Sequence, residues 1–287
     1  MKSWNKAKPY FRILNAFCLA FIMIFLPLFG AERGAAETPG AIITIYFYNS
    51  DVNLNNYSAV KARFDRYLSQ FGAYRFQPFN KEDIFENVAR TMKAPGVLVL
   101  SSRHYRALNQ NLPMTPLLIG LRKGKNCYRK NLLAKSPLSN IQELREAVVA
   151  SSGSREGTHS LLKEMIGQGS EDIVSTIRVL EVPKDIDALF SMDFGLARCA
   201  VATKESVRQM EEHMGRKSPL VPLYESQEIM MPVAVALKSL RTNEAVEKLL
   251  GIMKQMKADV EGRECLALLS IDEWTDIDPK SMERLDP

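Results

Sequence analysis

From residue 41 onward, short apolar runs alternate with stretches whose apolar positions recur at helical spacing. Residues 41–48 (AIITIYFY), 96–100 (GVLVL) and 116–121 (PLLIGL) are rich in β-branched, aromatic or leucine side chains, which predicts buried strands. Between the first two, Val60, Phe64, Tyr67, Leu68 and Phe71 share one helical face, and Phe85 with Val88 predicts a second helix capped by Asn80. The same grammar returns later. Residues 147–150, 176–182 (TIRVLEV), 197–202 (ARCAVA) and 231–237 (MPVAVAL) read as strands. Helices are predicted to follow, one opened by Pro183 with Ile186, Leu189 and Met192, another with Val207, Met210 and Met214. Ser139 and Gln142 have capping-box spacing before Leu144, and Thr242 is placed to cap a helix bearing Val246, Leu249, Leu250 and Met253. Strands and helices in alternation predict an α/β architecture with largely parallel sheets.

One junction carries candidate chemistry. In residues 147–166 (AVVASSGSREGTHSLLKEMI) a strand runs into Ser151, Ser152, Gly153, Ser154 and Gly157, then into a helix. Such a turn aims backbone N–H groups and the positive end of the helix dipole at one point, which suits a bound anion. The plainer reading is a strand-to-helix turn capped by Ser154 or Thr158.

The amino-terminal segment reads as a targeting element. Lys2, Lys6, Lys8 and Arg12 precede the apolar residues 13–30, and Gly34 and Ala36 fit a small-x-small cleavage pattern. Residues 1–36 are therefore expected to be a signal peptide cut after Ala36, with an uncleaved membrane anchor left open. Removing them changes the charge argument. The whole chain has 38 Lys+Arg against 33 Asp+Glu, and the leader holds five of the basic residues and one acidic, which leaves 33 against 32. That balance gives no support to nucleic-acid binding. Of the four cysteines, Cys18 lies in the leader, and the three that remain, Cys127, Cys199 and Cys265, are odd in number and irregular in spacing, so at most one disulfide is expected. His104, His159 and His213 lack ligand spacing, so no metal or other cofactor is expected. No nucleophile, base and orienting group stand out as a set, which argues against an enzyme.

Five segments carry a resemblance: residues 96–105 (GVLVLSSRHY), 138–150 (LSNIQELREAVVA), 154–158 (SREGT), 188–206 (ALFSMDFGLARCAVATKES) and 226–232 (SQEIMMP). In this order they resemble the type 2 periplasmic solute-binding proteins, in particular the phosphate/phosphite/phosphonate-type receptors of ABC importers. The resemblance implies two α/β lobes around a cleft, each a largely parallel sheet flanked by helices, joined by two crossover strands. Lobe one would comprise residues 41–125 and 226–287, and lobe two residues 126–225, with hinges near residues 128–134 and 224–231.

It also implies a site. Ser154, Gly157 and Thr158 stand where that family has its anion cradle, with Arg155 and Glu156 in place of its usual Thr and Ser. Arg198 stands where the family has an Asp, and either Arg198 or Arg155 would supply positive charge. Ser101 and Ser102 would donate from the opposite lobe, and Tyr46, Tyr48 and Tyr105 are candidate aromatic clamps, although Tyr46 and Tyr48 share a strand face and fit a core as well. The implied function is capture of a small phosphonate-like or phosphate-like anion by an exported, monomeric periplasmic protein that hands it to an ABC permease. The alternative is a sensory or protein-interaction module of the same fold, coupled to a membrane sensor protein.

Overall fold

The computed structural model describes residues 42–285 apart from 53, 55, 216, 218 and 241–243. The leader expected over residues 1–36 and the cap expected at Thr242 lie outside the described residues. Among the described residues no helix is long and apolar enough to cross a membrane.

The apolar runs assemble into two sheets. In the first, β1 (Ile43–Tyr48) pairs in parallel with β2 (Tyr74–Pro78) on one side and β3 (Gly96–Leu100) on the other. β12 (Val233–Leu237), β4 (Met114–Leu121) and β13 (Glu273–Asp276) extend it antiparallel, in the order β13-β4-β12-β3-β1-β2. Helices α1 (Tyr57–Leu68), α2 (Glu82–Thr91) and α3 (Ser102–Asn109) follow β1, β2 and β3, and α8 (Glu244–Gln255), α9 (Val260–Leu268) and α10 (Pro279–Leu285) complete this lobe.

The second sheet has the order β10-β6-β9-β7-β8. Its parallel part is β7 (Val148–Ser151) between β8 (Arg178–Glu181) and β9 (Cys199–Thr203), while β6 (Lys130–Ala134) and β10 (Val221–Glu225) run antiparallel. Helices α4 (Arg155–Ile166) and α5 (Glu171–Thr176) separate β7 from β8, α6 (Asp185–Asp193) follows β8, and α7 (Lys204–Met214) follows β9. Side-chain alternation divides its core in two. Leu132, Val149, Cys199 and Val201 belong to one cluster, whereas their neighbours Leu133, Ala150, Ala200 and Ala202 belong to the other. A strand buried on both faces reads as a continuous apolar run, which is what made these segments legible.

Between the sheets, β5 (Cys127–Tyr128) and β11 (Ile229–Met230) pair as a two-stranded antiparallel crossover. The chain leaves the first sheet through β4 and returns to it through β12, so these connecting strands run against their neighbours. Parallel pairing is accordingly confined to β2-β1-β3 and β8-β7-β9, and both sheets are mixed.

Smaller expectations shift by a residue or two. The helix after Asn80 starts from Lys81, without a side-chain cap, and Glu82 and Asp83 complement its dipole instead. The capping box is formed by Asn140 and Glu143 rather than Ser139 and Gln142. Thr176 ends α5, whose acidic first turn holds Glu171 and Asp172, so β8 starts only at Arg178. All three described cysteines are free thiols, and burial pushes Cys199 up to about 11 and Cys265 up to about 12.

Candidate functional site

Buried strands β3, β7 and β9 each lead, within three residues of their end, into a Ser or Thr that caps a helix. Ser101 caps α3 by accepting from the His104 amide (3.2 Å), Ser154 caps α4 from the Gly157 amide (3.1 Å), and Thr203 caps α7 from the Ser206 amide (3.2 Å). Short hydroxyl side chains do this well because the side-chain oxygen reaches back to an otherwise unbonded amide. The positive ends of α4, α6 and α7 therefore gather at the carboxyl edge of the second sheet.

The Ser–Gly turn is packed against the other lobe. The Ser154 amide donates to the Ser50 carbonyl (2.8 Å), the Arg155 amide to the Glu181 carboxylate (3.1 Å) and the Gly153 amide to Ser151 Oγ (3.2 Å). The Thr158 amide donates to the Ser154 carbonyl (2.8 Å), and its hydroxyl to Ser151 Oγ (2.9 Å). A Cβ on Gly157 would lie 2.6 Å from the Ser50 oxygen, so only glycine permits this approach. The incoming loop is itself held in place. The Asp51 amide donates to Asn49 Oδ1 (2.9 Å), and the Asp51 carboxylate pairs with Arg103 of α3. Arg103 also lies 3.8 Å from Glu164 of α4, which adds an ionic contact between the lobes.

Beside this contact the strand ends enclose a cavity of about 860 Å³. Lys130, Ser152, Asp185 and Thr203 form its floor. Lys130 is positioned by Ser226, whose hydroxyl accepts from the Lys130 amide (3.0 Å) and whose amide donates to the Lys130 carbonyl (2.8 Å). The Asp185 carboxylate accepts from Ser152 Oγ (2.6 Å), Lys130 Nζ (3.2 Å) and the Thr203 amide (3.0 Å). The Lys130 and Asp185 side chains are only 6% and 11% exposed. Burial raises the Asp185 pKa, but the Lys130 charge and the bonds from Ser152 and Thr203 outweigh it, so the carboxyl is held below its ordinary value.

The rim is basic. Lys123 pairs with Glu205, Lys204 with Glu225 (2.7 Å) and Arg129 with Glu228 (3.8 Å). Arg122, Lys125 and Lys184 also line the cavity, and among the described residues no carboxylate lies within ion-pair distance of them. Arg122 and Lys125 face each other across a tight hairpin in which Lys123 (φ 51°) and Gly124 (φ 72°) take left-handed conformations. The hairpin around Gly124 is thus closed by a two-residue turn.

No protein-family model matches the chain, and no curated protein matches it. Solved structures do. A binding-protein component of an ABC phosphonate transporter from Pseudomonas aeruginosa aligns with a TM-score of 0.58 at 15% identity, over 85% of this chain and 85% of that one. PhnD1 from Prochlorococcus marinus, in complex with methylphosphonate, aligns with a TM-score of 0.56 at 13% identity, over 85% and 95%. XAC2383 from Xanthomonas citri, bound to ATP, aligns with a TM-score of 0.55 at 15% identity, over 85% and 94%. The chain has the type 2 periplasmic-binding-protein fold.

On this fold the residues expected to bind ligand fall in four places. Ser154, Gly157 and Thr158 come together at the turn, but their donors meet protein acceptors, and Arg155 beside them points to solvent, as does Glu156. Ser101 and Ser102 are buried, one as the α3 cap and the other donating to the Met230 carbonyl of the crossover (3.2 Å). Tyr46 stacks on Phe79 (6.4 Å), Tyr48 bonds Glu82 (3.3 Å) and Tyr105 is fully buried, so all three belong to the core of lobe one. Arg198 requires correction. It precedes β9 and pairs with Glu143, while the cavity lies at Thr203, roughly 16 Å further along an extended strand. The cavity takes the end of β9, not its beginning. None of these candidates lines the cavity.

Lys130, Asp185, Thr203 and Arg103 were not among the expected residues. A lysine at the head of an apolar strand (Lys130) and a Thr directly after one (Thr203) are the signals that mark two of them. Away from the cleft, His104 Nε2 meets Glu86 (3.2 Å) and lies 3.8 Å from Glu82. Its Nδ1 is buried without a partner, whereas a metal-bound imidazole donates its second N–H, so this cluster reads as a structural contact.

Proposed function

We propose that the chain is an exported solute-binding protein that captures an anion between lobe one (residues 41–125 and 226–287) and lobe two (residues 126–225) for an ABC importer. One observation carries this reading: helix N-termini and the cations Arg122, Lys125 and Lys184, which have no ion-pair partner among the described residues, face an inter-lobe cavity of about 860 Å³. Cations and positive dipole ends around a cleft raise the local concentration of anions and favour their retention. Residues of both lobes line the cavity, so a ligand touching both stabilises their closed arrangement. The role is binding rather than catalysis, in the periplasm, with a permease as the downstream partner.

A second reading, a sensory or protein-interaction module, is favoured by the Ser50–Ser154 contact, which uses the family's ligand-binding turn to join the lobes. Thermal unfolding of the purified protein with phosphate, phosphite, sulfate, alkylphosphonates and dicarboxylates separates the two. A ligand at one hundred times its dissociation constant adds about 2.7 kcal/mol of stability. No shift with any anion sinks the transport reading and leaves the second.

A further inference from the structure

We propose that the solute is an organic anion with two separated anionic groups, clasped between cations of opposite lobes. This rests on the anion reading above and narrows it. At the turn, the Ser50 carbonyl already accepts from the Ser154 amide, and Gly157 has no room to spare beneath it. At the floor, Lys130, Ser152 and the Thr203 amide converge on Asp185, so the donors that would surround a bare oxyanion already surround a carboxylate. Among the described residues that line the cavity, the cations without an ion-pair partner, Arg122, Lys125 and Lys184, stand on the rim, and they come from both sides.

Arg122 and Lys125 belong to the lobe-one hairpin, and Lys184 precedes α6 in lobe two. The hairpin is fixed by its own reciprocal backbone bonds (2.9 and 3.0 Å), by the Lys123 amide donating to Asp272 (2.6 Å) and by the Lys123–Glu205 pair that reaches the second lobe. Two like charges directly opposite each other repel, and an anionic head between them relieves that repulsion. Arg122 offers that head a planar, two-pronged donor. Lys184 then meets a second head across the cleft. A volume of about 860 Å³ falls in the range of sites that enclose whole organic molecules.

Titration calorimetry on the purified protein tests this with single-headed probes (inorganic phosphate, methylphosphonate) and double-headed ones (a series of α,ω-dicarboxylates and sugar bisphosphates). The best double-headed probe is expected to bind at least tenfold more tightly than either single-headed one. Lys184→Glu is expected to remove that advantage by weakening double-headed binding at least tenfold more than single-headed binding, and Arg122→Glu with Lys125→Glu to weaken both classes. These side chains are exposed, and unchanged urea midpoints verify that the variants fold. Phosphate or methylphosphonate binding as tightly as every double-headed probe overturns the proposal, as does a Lys184→Glu variant that keeps full double-headed affinity. Either result leaves the anion reading standing. Absence of binding by both classes removes the anion reading along with the proposal.

Discussion

The Ser–Gly turn and the cavity floor both gather donors of the kind that hold an oxyanion, and in both a protein oxygen sits on them. At the turn the acceptor is a neutral carbonyl, Ser50, delivered by the opposite lobe. At the floor it is an ionised carboxylate, Asp185, from the same lobe as Lys130, Ser152 and Thr203. Separating the lobes would therefore uncover the turn and leave the floor intact. The turn behaves as a contact surface between lobes, and the floor as a fixed part of lobe two.

The largest effect follows from breaking the floor. Asp185→Ala leaves the buried Lys130 ammonium without its counter-charge, and loss of one partner of a buried pair costs about 3–5 kcal/mol. Urea unfolding should show a loss of that size. Added sulfate should restore part of it, since Lys130, Ser152 and the Thr203 amide would then share an external oxyanion. A loss below about 1 kcal/mol would mean that the floor does not depend on Asp185 and that the contrast with the turn is false.

A smaller effect is expected at the turn. Gly157→Ala improves helix propensity by about 1 kcal/mol, yet its Cβ would sit 2.6 Å from the Ser50 oxygen. Overpacking of this kind costs about 1–3 kcal/mol when nothing moves. Because Ser50 belongs to the other lobe, separation of the lobes relieves the clash. Solution scattering should show a larger radius of gyration for the variant, with a urea midpoint close to the parent's. An unchanged radius together with a lowered midpoint would show that the turn is as fixed as the floor.

The same comparison explains how much of the molecule was legible from its sequence. Strands buried on both faces, such as Gly96–Leu100 and Cys199–Thr203, announce themselves as unbroken apolar runs, whereas the division into two lobes came from the family resemblance. The turn was legible because its chemistry is local: Ser154 caps the helix that begins beside it. The floor was not, because Lys130, Ser152, Asp185 and Thr203 come from four segments that only the second sheet brings together. Arg198 was misplaced for a related reason. Its residue type fits an anion site, but strand direction decides which end of β9 reaches the cleft, and Arg198 lies at the other.

Acid provides the finest distinction. The folded Asp185 carboxyl lies below its ordinary value, because the Lys130 charge and two hydrogen bonds overcome the effect of burial. The unfolded chain, whose Asp groups titrate near about 3.9, therefore takes up this proton at a higher pH than the folded protein does. The stabilisation is fully present above that unfolded value and is lost as pH falls through the folded one. The Ser50–Ser154 bond joins a carbonyl to an amide and has no proton of its own to gain. Urea midpoints of the parent and of Asp185→Asn should thus differ most at neutral pH and converge as pH drops below about 4. The same series on Gly157→Ala should run parallel to the parent. A gap between parent and Asp185→Asn that stays constant into strong acid would show that charge on Asp185 contributes nothing to the floor, and would leave lobe contact alone to distinguish the two regions.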